Sequence, residues 1–123
     1  MPAILVLDDS PTMVMSLSRI LKKAGYDVET AADGREGVAK LAAGLKPAII
    51  LTDLNMPQMD GLAFIKEARR NPATRFTPIL VLTTESGNAR RDEARAAGAS
   101  GWLVKPTEPA ELLATLKQIL PAN

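Results

Sequence analysis

Ile4-Leu5-Val6-Leu7-Asp8-Asp9-Ser10-Pro11 sets an apolar run, two acids and a helix start in direct succession. A short, continuously apolar run suits a parallel strand covered by helices on both faces. Ser10 is a favoured helix cap, and Pro11 fits the opening position, where its missing N–H has no intrahelical partner to lose. Strand, turn and helix follow one another without a spacer, as in an α/β fold.

The pattern recurs along the chain. Ala48-Ile49-Ile50-Leu51 and Ile79-Leu80-Val81-Leu82 are two more continuously apolar runs. Tyr26-Asp27-Val28-Glu29-Thr30 alternates apolar and polar residues, as a strand at a sheet edge would, and the shorter Gly101-Trp102-Leu103-Val104 also suits an edge. Helical spacing fills the gaps. Met13, Val14, Leu17, Ile20, Leu21 and Ala24 form one stripe, closed by Gly25. Asp33 stands three residues before Glu36 in a capping-box arrangement ahead of Val38, Leu41 and Leu45. A third helix starts near Asp60-Gly61 and carries Leu62, Phe64, Ile65 and Ala68. The last runs from about Glu108 to Leu120 and offers Leu112, Leu113, Leu116 and Ile119.

The segment from about Asn88 to Ala97 differs. Its only apolar residues are alanines, interleaved with Arg90, Arg91 and Arg95, so the spacing predicts the most loosely anchored helix. Five strands alternating with five helices imply a parallel sheet with right-handed crossovers, and the edge-like second strand belongs beside the first.

Composition removes several kinds of chemistry. The chain has 123 residues, suited to one domain, and its 15 Lys and Arg against 14 Asp and Glu leave a net charge of +1. That balance gives no support to a nucleic-acid or membrane-surface role. Without cysteine or histidine, thiol nucleophiles, disulfides, Ser-His-Asp catalysis and His-ligated metals are excluded, and a cation site must use oxygen. No basic leader precedes Ile4, no apolar run approaches the ~20 residues that span a bilayer, and the chain stops just after the last helix. A cytoplasmic protein, one domain over residues 1–123 and no output domain are therefore expected.

The strand ends carry the polar groups. Strand 1 ends in Asp8-Asp9, strand 3 in Asp53, strand 4 in Thr83 and strand 5 in Lys105-Pro106. In a parallel sheet these lie along one edge. Singly, each reads as a cap, a turn residue or a solvated cation. Together they do not, because two carboxylates about 4 Å apart repel by about 4 kcal/mol at an effective dielectric of about 20. Either one protonates or a cation enters. Magnesium accepts a few carboxylates, keeps waters and bridges to phosphate oxygens, and Lys105 adds positive charge. Such a set is suited to hold a phosphoryl group. The chain lacks both the Walker and the dinucleotide-binding glycine patterns, so a nucleotide is not the expected ligand. A carboxylate can itself be the nucleophile, forming an aspartyl phosphate.

Four blocks in order, Leu7-Asp8-Asp9-Ser10, the run from Thr52-Asp53-Leu54-Asn55-Met56-Pro57 to Asp60-Gly61, Leu82-Thr83-Thr84-Glu85 and Leu103-Val104-Lys105-Pro106, closely resemble receiver domains of bacterial response regulators, above all the stand-alone chemotaxis kind. The resemblance covers essentially the whole chain. It implies a flavodoxin-like (βα)5 three-layer sandwich, α/β in class, with sheet order 2-1-3-4-5 and the site at the reversal between strands 1 and 3. It further implies Asp53 as phosphoacceptor and Mg2+ held by Asp9 and Asp53 directly, by Asp8 through water and by the Asn55 main-chain carbonyl. Thr83 and Lys105 would hold the phosphoryl group, and the Lys105-Pro106 peptide resembles one that is cis in the family. The donor would be a sensor histidine kinase. Slow self-dephosphorylation, tuned from Asn55 and Glu85, belongs to the same picture. The target surface would lie on helix 4, strand 5 and helix 5, around Arg90, Arg91, Arg95 and Trp102, on a monomer, with Thr83 and Trp102 as the switch residues. Two positions depart from the pattern. Thr84 stands where the family usually has a smaller residue, and Trp102 where Tyr or Phe is usual.

Four other readings compete. A relay intermediate shares the same chemistry. A magnesium-dependent aspartyl phosphohydrolase commonly needs an Asp-x-Asp pair, and here Leu54-Asn55 follows Asp53. A degenerate binding module is at odds with the intact polar set, and a DNA-binding regulator would need an output domain.

Overall fold

A computed structural model describes residues 2–120. The Met1 and Pro121–Asn123 ends of the expected domain, 1–123, lie outside the described residues. The order is β1 (Ala3–Leu7), α1 (Pro11–Lys23), β2 (Asp27–Ala31), α2 (Gly34–Ala42), β3 (Ile49–Thr52), α3 (Gly61–Arg70), β4 (Ile79–Thr83), α4 (Asn88–Ala97), β5 (Gly101–Val104) and α5 (Pro109–Ile119). The strands are parallel in the order β2-β1-β3-β4-β5. The fold and strand order are those implied by the resemblance.

Alternation along the strands builds both hydrophobic layers. Leu5 and Leu7 of β1, with Ile50 and Val81, face α2, α3 and α4, where Leu41, Phe64, Ile65, Ala68 and Ala94 meet them. Ile4 and Val6, with Ile49, Leu51, Leu80 and Leu82, face α1 and α5, where Leu17, Leu21, Leu112 and Leu116 close the other side. The three inner strands are buried on both faces, which is why their sequences show no alternation. Fully burying one such side chain is worth about 1.5–3 kcal/mol.

The helix starts form as the caps predict. The Ser10 hydroxyl accepts from the Met13 N–H at 3.2 Å, the Asp33 carboxylate from the Glu36 N–H at 2.8 Å, and the Asp60 carboxylate from the Ala63 N–H at 2.9 Å. Ala24 departs from its expected place in the α1 stripe. It is the C-cap and is exposed, because the stripe has rotated off the sheet by the time the chain turns at Gly25. In α4 only Ala94 is fully buried, and Gly87 offers no side-chain cap, in keeping with the loose anchoring expected from its alanines.

One anchor was not anticipated. Arg69, near the end of α3, donates to the Gly98 carbonyl just past α4 through Nε at 3.1 Å and Nη2 at 2.7 Å. Its Nη1 reaches the carbonyls of Thr74 at 2.9 Å, Arg75 at 3.2 Å and Thr77 at 2.6 Å. Burial pulls its pKa below the ordinary value, yet arginine starts so far above neutrality that the guanidinium stays charged. It ties the end of α4 to the loop leading into β4.

Candidate functional site

The carboxyl ends of β1 and β3 lie side by side, with Leu7 paired to Thr52. The next residues, Asp8 and Asp53, therefore emerge at the same height, where the chain order of the strands reverses. Asp9 follows on the turn into α1. Oxygens of Asp8, Asp9 and Asp53 all lie within 4.8 Å of one another. Asp8 is buried, Asp53 half-buried and Asp9 exposed.

Lys105 reaches this group from the end of β5. Its Nζ donates to Asp8 Oδ2 at 2.6 Å and to Asp53 Oδ2 at 3.1 Å, and its side chain is 14% exposed. Burial alone acts to lower the Lys105 pKa. The hydrogen bonds to Asp8 and Asp53, reinforced by both negative charges, outweigh it, so the net direction is upward and the ammonium is secure at neutral pH. The Lys105-Pro106 peptide is cis, as the resemblance implies.

The remaining carboxylate oxygens are held by main chain. Asp8 Oδ1 accepts from the Ser10 N–H at 2.9 Å. Asp53 Oδ1 accepts from the Leu54 N–H at 2.7 Å and, at 3.4 Å, from the Asn55 N–H. Among the described residues Asp9 has neither a hydrogen bond nor an ion pair, so three carboxylates share one ammonium and an excess negative charge remains.

Thr83 closes β4 fully buried, and its hydroxyl accepts from the Glu85 N–H at 3.3 Å. Its carbonyl accepts from the Lys105 N–H at 2.8 Å, which puts threonine and lysine on adjacent strand ends. Asn55 and Glu85 meet at the rim, with Asn55 Nδ2 donating to Glu85 Oε1 at 3.4 Å. Thr84 between them and the strand is exposed. Trp102 stands apart. It is half-buried on β5, packs against the layer formed by α2, α3 and α4, and borders a groove of about 130 Å³ with Arg91, Ala94 and Arg95.

The loop after Asp53 holds its shape without glycine at its tightest point. Gln58 takes φ of 67°, a left-handed conformation that costs a non-glycine residue about 1–2 kcal/mol, and the Met59 N–H donates to the Pro57 carbonyl at 2.7 Å. Two contributors escaped the sequence reading. Ser10 serves through its main chain as well as through its cap, and Thr52 donates its hydroxyl to the Asp53 carbonyl at 2.8 Å. A hydroxyl closing an apolar strand immediately before an acid was the available signal for Thr52.

A response regulator receiver domain family model matches residues 4–117. The chain is 38% identical over 121 residues to chemotaxis protein CheY1 of Helicobacter pylori, covering 98% of both. It superposes on the structure of chemotaxis protein CheY4 of Vibrio cholerae with a TM-score of 0.93 at 48% identity, covering 98% of this chain and 99% of that one. The receiver domain of sensor histidine kinase PA1611 of Pseudomonas aeruginosa, solved with magnesium coordinated in its active-site cleft, aligns with a TM-score of 0.88 at 30% identity over 96% of each chain. Agreement of this extent, from β1 through most of α5, leaves no element of the sheet or its crevice unmatched, and the chain belongs to the response regulator receiver family.

Proposed function

We propose that Asp53 accepts a phosphoryl group from a phosphohistidine of a sensor kinase, with magnesium in the acidic crevice, and that the resulting acyl phosphate switches binding of a chemotaxis-type partner. The observation that carries this reading is the Lys105 ammonium bridging Asp8 and Asp53 with a third carboxylate, Asp9, in reach.

The donor set suits magnesium. It offers oxygen only, it is clustered, and its charge exceeds what Lys105 balances. Asp9 and Asp53 would hold the ion directly, Asp8 through water and Asn55 through its main-chain carbonyl, and the ion would neutralise charge on the transferring phosphoryl group.

In the transfer, an Asp53 oxygen forms the new O–P bond as the donor's N–P bond breaks, and the electron pair leaves with the imidazole. Lys105 then pairs with phosphoryl oxygens, and the Thr83 hydroxyl turns from the Glu85 N–H to donate to another. Each such charge-assisted bond is worth about 1.5–3 kcal/mol. Moving a two-state equilibrium from 1:99 to 99:1 takes about 5.5 kcal/mol, so these bonds nearly complete the shift and partner binding supplies the rest. Self-dephosphorylation is attack of water on phosphorus, which breaks the O–P bond and returns phosphate and the Asp53 carboxylate. Asn55 and Glu85 at the rim tune that step toward a short-lived phosphoform, and Thr84 narrows the approach.

The partner surface in this reading is α4, β5 and α5. Arg90 is engaged with Glu93 at 3.6 Å, while Arg91 and Arg95 are exposed beside Trp102. Residues 1–123 are proposed to act as one receiver unit, monomeric and cytoplasmic. Among the described residues no helix is long and apolar enough to cross a membrane.

Incubation with acetyl phosphate and magnesium, followed by intact mass, tests the assignment. The wild type should gain one phosphoryl group, and Asp53→Asn or chelation of the metal should abolish the gain. An equal adduct on Asp53→Asn would reject Asp53. The only tryptophan in the chain, Trp102, offers a fluorescence signal for the same reaction.

A further inference from the structure

Every polar atom of Asp53 has a partner. Its N–H donates to the Leu7 carbonyl at 3.0 Å, its two carboxylate oxygens meet Leu54 and Lys105, and its carbonyl accepts the Thr52 hydroxyl at 2.8 Å. Thr52 is fully buried and is the one polar residue of β3. A valine would fill the same space and favours strands as strongly, whereas a buried hydroxyl is unfavourable unless it is bonded. Here the hydroxyl is bonded to the carbonyl of the next residue.

That carbonyl belongs to the same planar peptide unit as the Leu54 N–H. Fixing one end fixes the other. The Thr52 hydroxyl holds the oxygen end, and the nitrogen end points its hydrogen at Asp53 Oδ1 at 2.7 Å, leaving Oδ2 to face Lys105. The start of α3 also closes on this unit. A Cβ at Gly61 would overlap the Asp53 carbonyl oxygen and come within 2.8 Å of the Leu54 Cα, and the Gly61 N–H donates to the Leu54 carbonyl at 2.8 Å.

We propose that Thr52 is a positioning residue for phosphorylation, its hydroxyl and Gly61 clamping the Asp53–Leu54 peptide so that the Leu54 N–H sets the rotamer of the acceptor carboxylate. The proposal rests on the reading of Asp53 as phosphoacceptor. Thr52→Val keeps the shape and removes only the hydroxyl, Thr52→Ala removes the methyl as well, and Thr52→Ser keeps the hydroxyl.

Phosphorylation by acetyl phosphate with magnesium is followed by intact mass at several donor concentrations, with Asp53→Asn as control. Thr52→Val and Thr52→Ala should lower the maximal rate about tenfold without changing the donor concentration at half-maximal rate, and Thr52→Ser should recover most of it. In the free protein the Leu54 amide proton should move upfield in Thr52→Val and stay in place in Thr52→Ser. A wild-type rate in Thr52→Val, or a loss in Thr52→Ser as deep as in Thr52→Val, overturns the proposal. Should Thr52→Val fail to fold, the rates of Thr52→Ala and Thr52→Ser decide it in the same way. Phosphorylation of Asp53→Asn would instead reject the acceptor reading beneath it.

Discussion

At the end of β3 every polar atom of Asp53 is engaged, and the strand behind it is buried on both faces. In α4 one side chain, Ala94, is fully buried, the start lacks a side-chain cap, and firm attachment comes at the far end, where Arg69 grips Gly98. One region is fixed by hydrogen bonds and burial, and the other is held at few points. On the proposed reading, a phosphoryl group arriving at the first would need preformed geometry, because misplacement costs rate steeply. If α4 is the surface that reports the event, as proposed, it would need neighbouring states only a few kcal/mol apart. The link between them is short: Thr83 ends β4, and α4 begins five residues later at Asn88.

The contrast can be broken most severely from the core. Phe64 on α3 is fully buried against Gly37 and the sheet, so Phe64→Ala should cost about 3–5 kcal/mol of unfolding free energy in urea titration. A loss below about 1 kcal/mol would show that this side is no better packed than α4. A gentler probe falls on α4 itself. Ala96 is exposed within the helix, and Ala96→Gly should cost about 0.5–1 kcal/mol, as expected from backbone freedom alone. A larger loss would reveal contacts that anchor the helix more firmly than the single buried alanine suggests.

The smallest effect expected concerns pH. The Lys105 pKa is raised in the folded protein, so its stabilising contribution is fully present below the ordinary lysine value of 10.5 and is lost only as pH rises through the raised value. The stability difference between wild type and Lys105→Met in urea should therefore be flat from neutrality to about pH 9. A slope in that window would show that the Lys105 pKa is not raised.

Much of this organisation was legible in the residues. Continuous apolar runs marked the inner strands because burial on both faces erases alternation, and Tyr26–Thr30 kept alternation because β2 is an edge. Asp8, Asp9, Asp53, Thr83 and Lys105 stood out because each follows an apolar run, and parallel strands bring such positions to one edge. What stayed hidden depends on directions no spacing encodes. Whether the Thr52 hydroxyl turns to solvent, to a neighbouring strand or to the next carbonyl is a matter of one torsion. Gln58 adopts a left-handed conformation that its residue type does not announce. Arg69 gave no signal in the sequence, since charge patterning seeks carboxylates and its partners are peptide oxygens.

That last feature bears on how the molecule tolerates mutation. An ion pair can be lost from either side, but a main-chain carbonyl is present whatever residue occupies the position. Drift at Thr74, Arg75 or Thr77 leaves the acceptors in place, so the vulnerability of the joint is concentrated in Arg69 and in Gly98, where φ is 122° and an added Cβ would come within 2.8 Å of the Arg69 side chain. Lysine is a poor heir to Arg69, because one ammonium with three donors cannot span five contacts to carbonyls on two separate segments.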